Sequence, residues 1–342
     1  MPDHTVVVTG GSGYIAGFLI RQLVAEGWRV HATVRSLDKE AALRTQLAVD
    51  NARLHLFAAE LQSDTGWAEA MAGCSHVAHV ASPVPAGPRQ APGELIGPAR
   101  DGALRALRFA RAAGVRRFVM TSSVSAVAYG RRDAHGDQTF TEADWTNPER
   151  SDISAYAKGK TLAERAAREW VAREATPDFE FCSICPSVVF GPLWSRDNRS
   201  SVSIIGRLLD GGVSATPDLG FGVVDVRDAA DLHVRALRAP GVAGERFIAS
   251  GRYVKLREMA DLLRAELGDQ AHKVTTRNAP DWLVRVSALF SAEARVAALE
   301  LGVVRHLDAS HAKAVLGWQT RPAERSIVDC ARSLLELGLA RT

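Results

Sequence analysis

The sequence predicts an α/β protein whose first half folds as a doubly wound parallel sheet. Short β-branched runs alternate there with helical stretches, and several runs are apolar on both faces. Strands covered by helices on both sides of a sheet have that pattern. A glycine-rich turn follows the first run directly, where a Rossmann-type fold places its nucleotide. A smaller, helix-rich C-terminal lobe completes the predicted fold.

The elements of the first half can be placed one by one. The first helix ends at Gly27, a residue common just past helix ends. The predicted strands are Thr5–Thr9, Arg29–Val34, Leu54–Ala58, His76–Ala81, Phe118–Thr121 and Phe181–Cys185. The predicted helices are Tyr14–Glu26, Lys39–Val49, Gly93–Ala113 and Ala155–Glu174.

The second half has a different texture after Gly191. The residues of Thr216–Gly222 are typical of a loop, and no strong series of strands is evident. We expect the apolar side chains of 282–301 to form core or pocket wall. The predicted helical segments are Val202–Asp210, Asp225–Ala239, 256–268, 281–301 and 310–340.

Composition and charge exclude several functions. The 342 residues include 42 Lys and Arg against 39 Asp and Glu, so the net charge of +3 does not indicate a nucleic-acid binder. No apolar run approaches the ~20 residues of a membrane span. The N-terminus enters a strand at once, which leaves no room for a signal peptide. With only four cysteines as well, we expect a cytoplasmic protein without membrane or nucleic-acid partners.

The turn at Thr9–Gly17 predicts a dinucleotide site. Gly10 and Gly13 allow a tight turn and a close approach of the backbone to a pyrophosphate. The anion then rests on the amides at the start of the helix, at Tyr14 and Ile15.

Arg35 indicates which dinucleotide is bound. It directly follows the second strand, where NAD-binding proteins carry an acid for the ribose 2′-hydroxyl. A guanidinium donates to a 2′-phosphate but cannot accept from a hydroxyl. The sequence therefore favours NADP(H) over NAD(H). By position, Glu60 and Leu61 would contact the adenine, and Val80–Ala81–Ser82 would line the nicotinamide side.

A catalytic group is indicated by Tyr156 and Lys160, which lie four residues apart on one helical face. Reduction of a carbonyl needs a proton donor, and a nearby cation lowers the pKa of a phenol enough for that task. Ser123 follows the fifth strand and is placed to hold the substrate oxygen. The neighbouring Thr121 is expected among the cofactor contacts.

These motifs together resemble the extended short-chain dehydrogenase/reductases, in particular their dihydroflavonol reductase, cinnamoyl-CoA reductase and bacterial aldehyde reductase group. The resemblance extends over nearly the whole chain. It implies a Ser123–Tyr156–Lys160 catalytic triad, Arg35 at the 2′-phosphate and a further phosphate contact at Ser201. It also implies that Tyr156 and Lys160 contact the cofactor, and that the nicotinamide lies against Pro186, Ser187, Val188 and Val189.

Departures from that family narrow the expected substrate. Ala16 replaces the third glycine, and Glu60 replaces the usual Asp before Leu. Ala128 stands where the plant flavonoid enzymes carry an Asn for ring hydroxyls, which favours a less polar substrate. The expected pocket walls are Ser82–Pro98, Ala128–Arg131, Pro192–Ser201 and residues 216–225.

The sequence thus predicts NADPH-dependent reduction of an aryl or alkyl aldehyde or ketone to the alcohol. Alternatives are an acyl-CoA thioester reductase, a hydroxysteroid-type dehydrogenase and, least favoured, a non-enzymatic NADP-sensing binding protein. Residues 1–190, with 222–250 returning to the sheet, would bind the cofactor, and 191–342 would mainly bind substrate. No metal site is predicted; the Cys182-x-x-Cys185 motif lies in an apolar strand and is interpreted as structural. Both a monomer and a homodimer are compatible with the sequence.

Overall fold

The computed structural model describes residues 4–83, 93–130, 136–197 and 201–340. Two short 3₁₀ turns, Val124–Ala126 and Gly268–Ala271, accompany the regular elements. The strands are β1 (Thr5–Val8), β2 (Arg29–Val34), β3 (Leu54–Ala58), β4 (His76–His79), β5 (Arg117–Thr121), β6 (Gly136–Phe140), β7 (Glu180–Pro186), β8 (Val188–Phe190), β9 (Gly220–Asp225), β10 (Arg246–Ala249), β11 (Tyr253–Lys255) and β12 (Val303–Leu307).

The helices flank these strands and fill the C-terminal part. They are α1 (Tyr14–Ala25), α2 (Glu40–Leu47), α3 (Trp67–Met71), α4 (Gly93–Ala112), α5 (Ala155–Glu174), α6 (Ser203–Leu209), α7 (Val226–Arg238), α8 (Leu256–Leu267), α9 (Asp281–Ser287), α10 (Ala292–Glu300), α11 (Ser310–Leu316) and α12 (Ala323–Glu336).

The central sheet has seven parallel strands in the order β10-β7-β5-β4-β1-β2-β3. The order reverses at β1, which lies between β2 and β4, so a crevice opens beyond the carboxyl ends of those strands. This architecture confirms the predicted Rossmann-type fold. The predicted end of the fourth strand was wrong, because β4 ends at His79 and leaves residues 80–82 as irregular backbone.

Apolar side chains fill both faces of the sheet. One cluster lies beneath α1 and α7 and includes Leu19, Val30 and Phe247, all fully buried. The opposite face packs Trp67 and Phe118 against α4 and α5. A third cluster joins α6, α8 and α12 in the C-terminal part. Burial on both faces explains why the strands have runs of apolar residues rather than an alternating pattern.

The second half contains more strand than the sequence indicated. A three-stranded sheet has the order β11-β9-β8, and β12 pairs in parallel with β6. The loop expected over Thr216–Gly222 was wrong at its end, because β9 begins at Gly220. Strands of three to six residues carry little periodicity, and the partner of β12 lies far away in the sequence.

The expectation that the large apolar residues of 282–301 form core or pocket wall was wrong for most of them. Trp282 is 66% exposed and Phe290 86% exposed, with Leu289 between these values. In α9 the side chain that is buried is that of Val284. The contacts of the helix pair α9–α10 with the rest of the protein include packing of Ala297 against the C-terminal cluster, the ion pair of Glu300 with Arg305 and the bridge of Asn278 with Thr216.

Candidate active site

The glycine turn is held between the ends of β2 and β4. Gly10 has a φ of +70°, which favours glycine, and its amide donates to Thr33 Oγ1 at 3.1 Å. A Cβ added there would lie 3.1 Å from Ala81. Thr9 Oγ1 accepts from the Ala81 amide at 2.9 Å and contacts His79 Nδ1 at 3.1 Å. The turn is therefore fixed against residue 81, one of the predicted nicotinamide contacts.

The start of α1 is arranged to receive an anion. Its N-cap is Gly13, and no side chain caps the first turn. The amides of Tyr14 and Ile15 open that turn, where the helix dipole favours negative charge. The Tyr14 hydroxyl donates to the Gly191 carbonyl at 2.8 Å. Its backbone amide, rather than its phenol, is thus the group suited to a pyrophosphate.

The other predicted cofactor residues in the first half lie beyond the same carboxyl edge. Arg35 directly follows β2 and is exposed, so its guanidinium is accessible to a ligand. Glu60 is also exposed, and Leu61 is half-buried against α4. Val80, Ala81 and Ser82 are half-buried after β4. The cap-free helix, the glycine turn and Arg35 together fit a dinucleotide with a 2′-phosphate.

The structure brings the three predicted catalytic residues together. Ser123 follows β5 and is buried, and its Oγ accepts from the Ser125 amide at 3.0 Å. The Tyr156 side chain adjoins Ser123, whose hydroxyl acts to lower the pKa of Tyr156. Lys160 is 5% exposed and donates from Nζ to the Thr121 carbonyl at 3.0 Å. The Thr121 hydroxyl contacts His233 Nε2 at 2.7 Å.

Burial shifts the pKa values of this group in opposite directions. It raises the pKa of Tyr156, and the neighbouring Ser123 hydroxyl opposes that rise. It lowers the pKa of Lys160 to about 8, against the opposing influence of Cys185 and Glu164. That Lys160 lowers the pKa of Tyr156 stays a prediction, since the lowering contribution in this structure comes from Ser123.

The nicotinamide-side segment continues from the end of β7. Pro186 and Ser187 are buried, and no hydrogen-bond partner in the described residues satisfies Ser187 Oγ. Val188 and Val189 lie in β8. Ser201 donates to the Val189 carbonyl at 2.6 Å, so its hydroxyl proton is engaged within the protein. The unsatisfied hydroxyl of Ser187 is a polar group available to a ligand.

A small cavity of about 20 Å³ lies beside Ser187. The charged residue that lines this cavity is Arg305 of β12, which the sequence analysis did not predict. Arg305 donates to the Ala128 carbonyl at 2.8 Å and is paired with Glu300. Its guanidinium lies 4.2 Å from the ring centre of Tyr129. The lining residues are Val124, Ala128, Tyr129, Ser187, Val188, Gly220, Phe221, Gly222, Tyr253, Arg305 and Leu307.

Two of the expected pocket walls therefore contribute, through Ala128 and through residues 220–222. The expected walls at Ser82–Pro98, Ala128–Arg131 and Pro192–Ser201 lie partly outside the described residues, at 84–92, 131 and 198–200. No local sequence signal pointed to Tyr253 or Arg305, because only the pairing of β12 with β6 carries Arg305 to this position.

Comparison with known proteins assigns the chain to a family. The model of the NAD dependent epimerase/dehydratase family matches residues 6–249, which include the glycine turn and all three candidate catalytic residues. The chain belongs to this family. The family's extended short-chain dehydrogenase/reductase group, with its cinnamoyl-CoA reductase relatives, is the one that the sequence motifs indicated.

Several relatives from this family are similar over most of the chain. A cinnamoyl-CoA reductase of Medicago truncatula is 35% identical over 75% of this chain and 77% of its own. A protein of Candida albicans assigned as an NADPH-dependent methylglyoxal reductase is 30% identical over 81% of this chain and 88% of its own. The structure of yeast methylglyoxal/isovaleraldehyde reductase Gre2 matches the fold with a TM-score of 0.80, at 24% identity over 98% of this chain and 99% of that one.

Metal sites and membrane-spanning helices are two further features for which the described residues can be assessed. Outside the segments 1–3, 84–92, 131–135, 198–200 and 341–342, no group of three or more His, Cys, Asp or Glu side chains is arranged to hold a metal ion. Within the same described ranges, no helix is both long enough and apolar enough to span a membrane.

Proposed function

We propose that this protein, an NADP-dependent oxidoreductase acting on carbonyl groups, reduces aryl or alkyl aldehydes and ketones to alcohols. One observation carries the proposal: the neighbouring side chains of Ser123 and Tyr156 and the Lys160–Thr121 hydrogen bond meet at the carboxyl edge of the sheet. The glycine turn opens at the same edge. A proton donor and a dinucleotide site are thereby placed side by side.

In the proposed reaction each residue has one task. NADPH, when bound, supplies the hydride that reaches the carbonyl carbon. Ser123 donates a hydrogen bond that orients the carbonyl oxygen, and Tyr156 donates its phenolic proton to that oxygen as negative charge develops there. Lys160, held at the Thr121 carbonyl, stabilises the phenolate that remains. The product alcohol thus gains one hydride and one proton.

The pocket lining supports an apolar substrate. Aromatic and aliphatic side chains from both halves of the chain, such as Val124, Phe221 and Tyr253, surround the cavity. The charge of Arg305 is paired with Glu300. Because Ala128 offers no polar group, we infer that rings without hydroxyl substituents are preferred. On this proposal residues 1–190 hold the cofactor and residues 191–342 contribute most substrate contacts.

Tyr156→Phe tests the assigned proton donor. The variant keeps the ring but has no acidic proton, so kcat with an aromatic aldehyde should fall about 10²–10⁴-fold. The affinity for NADPH, followed by the change in its fluorescence on binding, should stay the same. A variant that keeps most of its activity would show that another group protonates the alkoxide.

Arg35→Asp tests the cofactor preference. A carboxylate at this position repels a 2′-phosphate and accepts from a 2′-hydroxyl, so kcat/KM should fall for NADPH much more than for NADH. We expect the ratio of kcat/KM for NADPH to kcat/KM for NADH to fall about 10–100-fold, which corresponds to the free energy of a charge-assisted hydrogen bond. Lys39→Asp, nearby in the sequence, is the control for a nonspecific charge effect. Equal effects on both cofactors would contradict the assignment of Arg35.

Reduction of an acyl-CoA thioester is the second candidate, favoured by the similarity to a cinnamoyl-CoA reductase. In that reaction the hydride adds to the thioester carbon and the CoA thiolate leaves, giving an aldehyde. A panel of aromatic aldehydes, β-keto esters and one CoA thioester, assayed for NADPH oxidation and for free thiol, separates the two activities. Thiol release would identify the thioester reductase, whereas NADPH oxidation by none of the compounds would favour a binding protein.

A further inference from the structure

Three successive turns of α5 contact three consecutive residues after and at the end of β5. The Tyr156 side chain adjoins that of Ser123. Lys160 donates to the Thr121 carbonyl at 3.0 Å. One turn further, Glu164 Oε2 accepts from Ser122 Oγ at 2.6 Å. The third contact has the spacing of the other two but lies deeper, beyond the reacting groups.

Glu164 is a fully buried carboxylate with partners from several elements. Ser183 of β7 donates to its Oε1 at 2.7 Å. Arg246 of β10 donates from Nε to Oε1 at 2.8 Å, and Arg168 lies 3.3 Å from the same oxygen. The Ser122 hydroxyl and Arg246 Nη2 occupy Oε2. The carboxylate therefore joins α5 to β7, to β10 and to the residue that follows β5.

Arg246 extends the network to the segment that precedes α5. Its Nη1 donates to the carbonyls of Glu142 and Asp144, each at 2.7 Å. Its guanidinium lies 3.7 Å from the ring centre of Trp145. The buried Glu164–Arg246 pair thus links the middle of α5, the residue after β5 and the segment around Trp145.

We propose that Glu164 is a positioning residue of the active site, acting through Ser122 to set the place of Ser123 relative to Tyr156 and placing a buried negative charge one helical turn from Lys160. The inference rests on the proposed function, since it assigns the geometry of that reaction. A buried ion pair contributes little to stability compared with an apolar cluster of the same volume. Its bond to Ser122, the residue next to Ser123, gives it another use.

The electrostatic part follows from the groups that face Lys160. They are Glu164 on its own helix, Cys185 on β7 and His79 on β4. Burial lowers the pKa of His79 to about 3, so that imidazole is neutral. Burial raises the pKa of the Cys185 thiol to about 12. Near neutral pH the negative charge that favours the Lys160 ammonium is therefore that of Glu164, which Arg246 and Arg168 hold ionised.

A matched pair of serine variants tests the geometric part. Ser122→Ala and Ser183→Ala each remove one hydroxyl that donates to Glu164, but only Ser122 adjoins Ser123. We expect Ser122→Ala to lower kcat about tenfold, because small misplacements of reacting groups are costly. In Ser122→Ala, the KM for NADPH and the melting temperature should change no more than they do in Ser183→Ala. The kcat of Ser183→Ala should stay within about twofold of wild type.

Glu164→Gln tests the electrostatic part through the pH profile of kcat. Loss of the negative charge should lower the pKa of Lys160, so the loss of activity on the basic side should begin at lower pH. Ser122→Ala keeps the negative charge of Glu164, so the basic limb of its kcat profile should lie at the same pH as in the wild type. If Glu164→Gln does not fold, the serine pair still decides the geometric part.

The outcomes separate this inference from the proposed function. No NADPH oxidation by the wild-type protein with any carbonyl in the panel would overturn both. Wild-type turnover combined with equal kcat values for Ser122→Ala and Ser183→Ala would overturn the positioning role alone. An unshifted basic limb in folded Glu164→Gln would overturn the electrostatic role.

Discussion

Helix α5 and the helix pair α9–α10 invert the usual distribution of side chains. In α5, the charged residues Lys160 and Glu164 are buried and each has a hydrogen-bond partner. In and after α9, the apolar Trp282 and Phe290 are mostly in solvent. Helix α5 packs against α4 and the sheet, whereas the buried side chain of α9 is that of Val284 alone.

The difference shows that burial depends on the partners that the fold supplies and not on polarity alone. Glu164 can lie inside because two arginines and two serines surround it. Such a charge is costly to bury without partners. A folded protein tolerates an exposed Trp, because burying that side chain would add stability but folding does not require it.

The largest expected effect comes from removing one partner of the buried charge. Arg246→Met leaves Glu164 without its closest cation, which should cost about 3–5 kcal/mol of unfolding free energy. Urea unfolding measures this loss. The control is Arg257→Met, which breaks the exposed pair with Asp261 and should change stability by less than about 1 kcal/mol. Equal losses in the two variants would show that the Glu164 network is no different from a surface pair.

A smaller effect is expected from pH, through histidines buried in the sheet half. Burial lowers the pKa of His79 to about 3 and that of His233 to about 4. In the unfolded chain both imidazoles bind a proton as the pH falls through about 6.5, whereas in the folded chain they stay neutral. The free energy of unfolding is therefore highest above pH 6.5 and falls below it. Between pH 6.5 and 5 each histidine should contribute a loss of up to about 1.4 kcal/mol per pH unit.

Unfolding midpoints in urea at pH 7, 6 and 5 measure that loss. The double variant His79→Asn and His233→Asn should show a flatter dependence over the same range, whatever its stability at pH 7. A wild-type midpoint that is constant from pH 7 to 5 would mean that both imidazoles can be protonated in the folded protein.

The smallest effect is expected in the exposed helix pair. Trp282→Ser and Phe290→Ser should each change the unfolding free energy by no more than about 0.5 kcal/mol, because little surface is buried there. Trp67→Ala, in the core beneath α4, should cost about 3–5 kcal/mol. A large loss in the Trp282 variant would indicate that α9 is covered in solution.

The sequence predicted best what depends on local pattern. Buried parallel strands require apolar runs, so β1 to β5 and β7 could be located to within a few residues. Tyr156 and Lys160 could be placed on one face because helical geometry alone sets that relation. The expected nearness of Ser123 depended on a common property of parallel sheets, that their carboxyl ends meet at one edge.

What the sequence did not predict depends on distant partners. Arg246 shows no local sign that it faces Glu164, and the pairing of β12 with β6 joins segments that are far apart in the chain. The apolar residues of α9 would have been buried had another element covered them, and their pattern contains no information about that element. Pairings of this kind are set by packing of the whole fold.

The pairing of β12 with β6 affects the order in which the parts of the active site become available during synthesis. During synthesis, Ser123, Tyr156 and Lys160 emerge well before Arg305, whose side chain holds the Ala128 carbonyl beside the cavity. Arg246, which fixes the catalytic helix, also emerges later than that helix. The nascent chain thus contains its chemical groups before it has a closed pocket, and only the last third converts them into a shaped site.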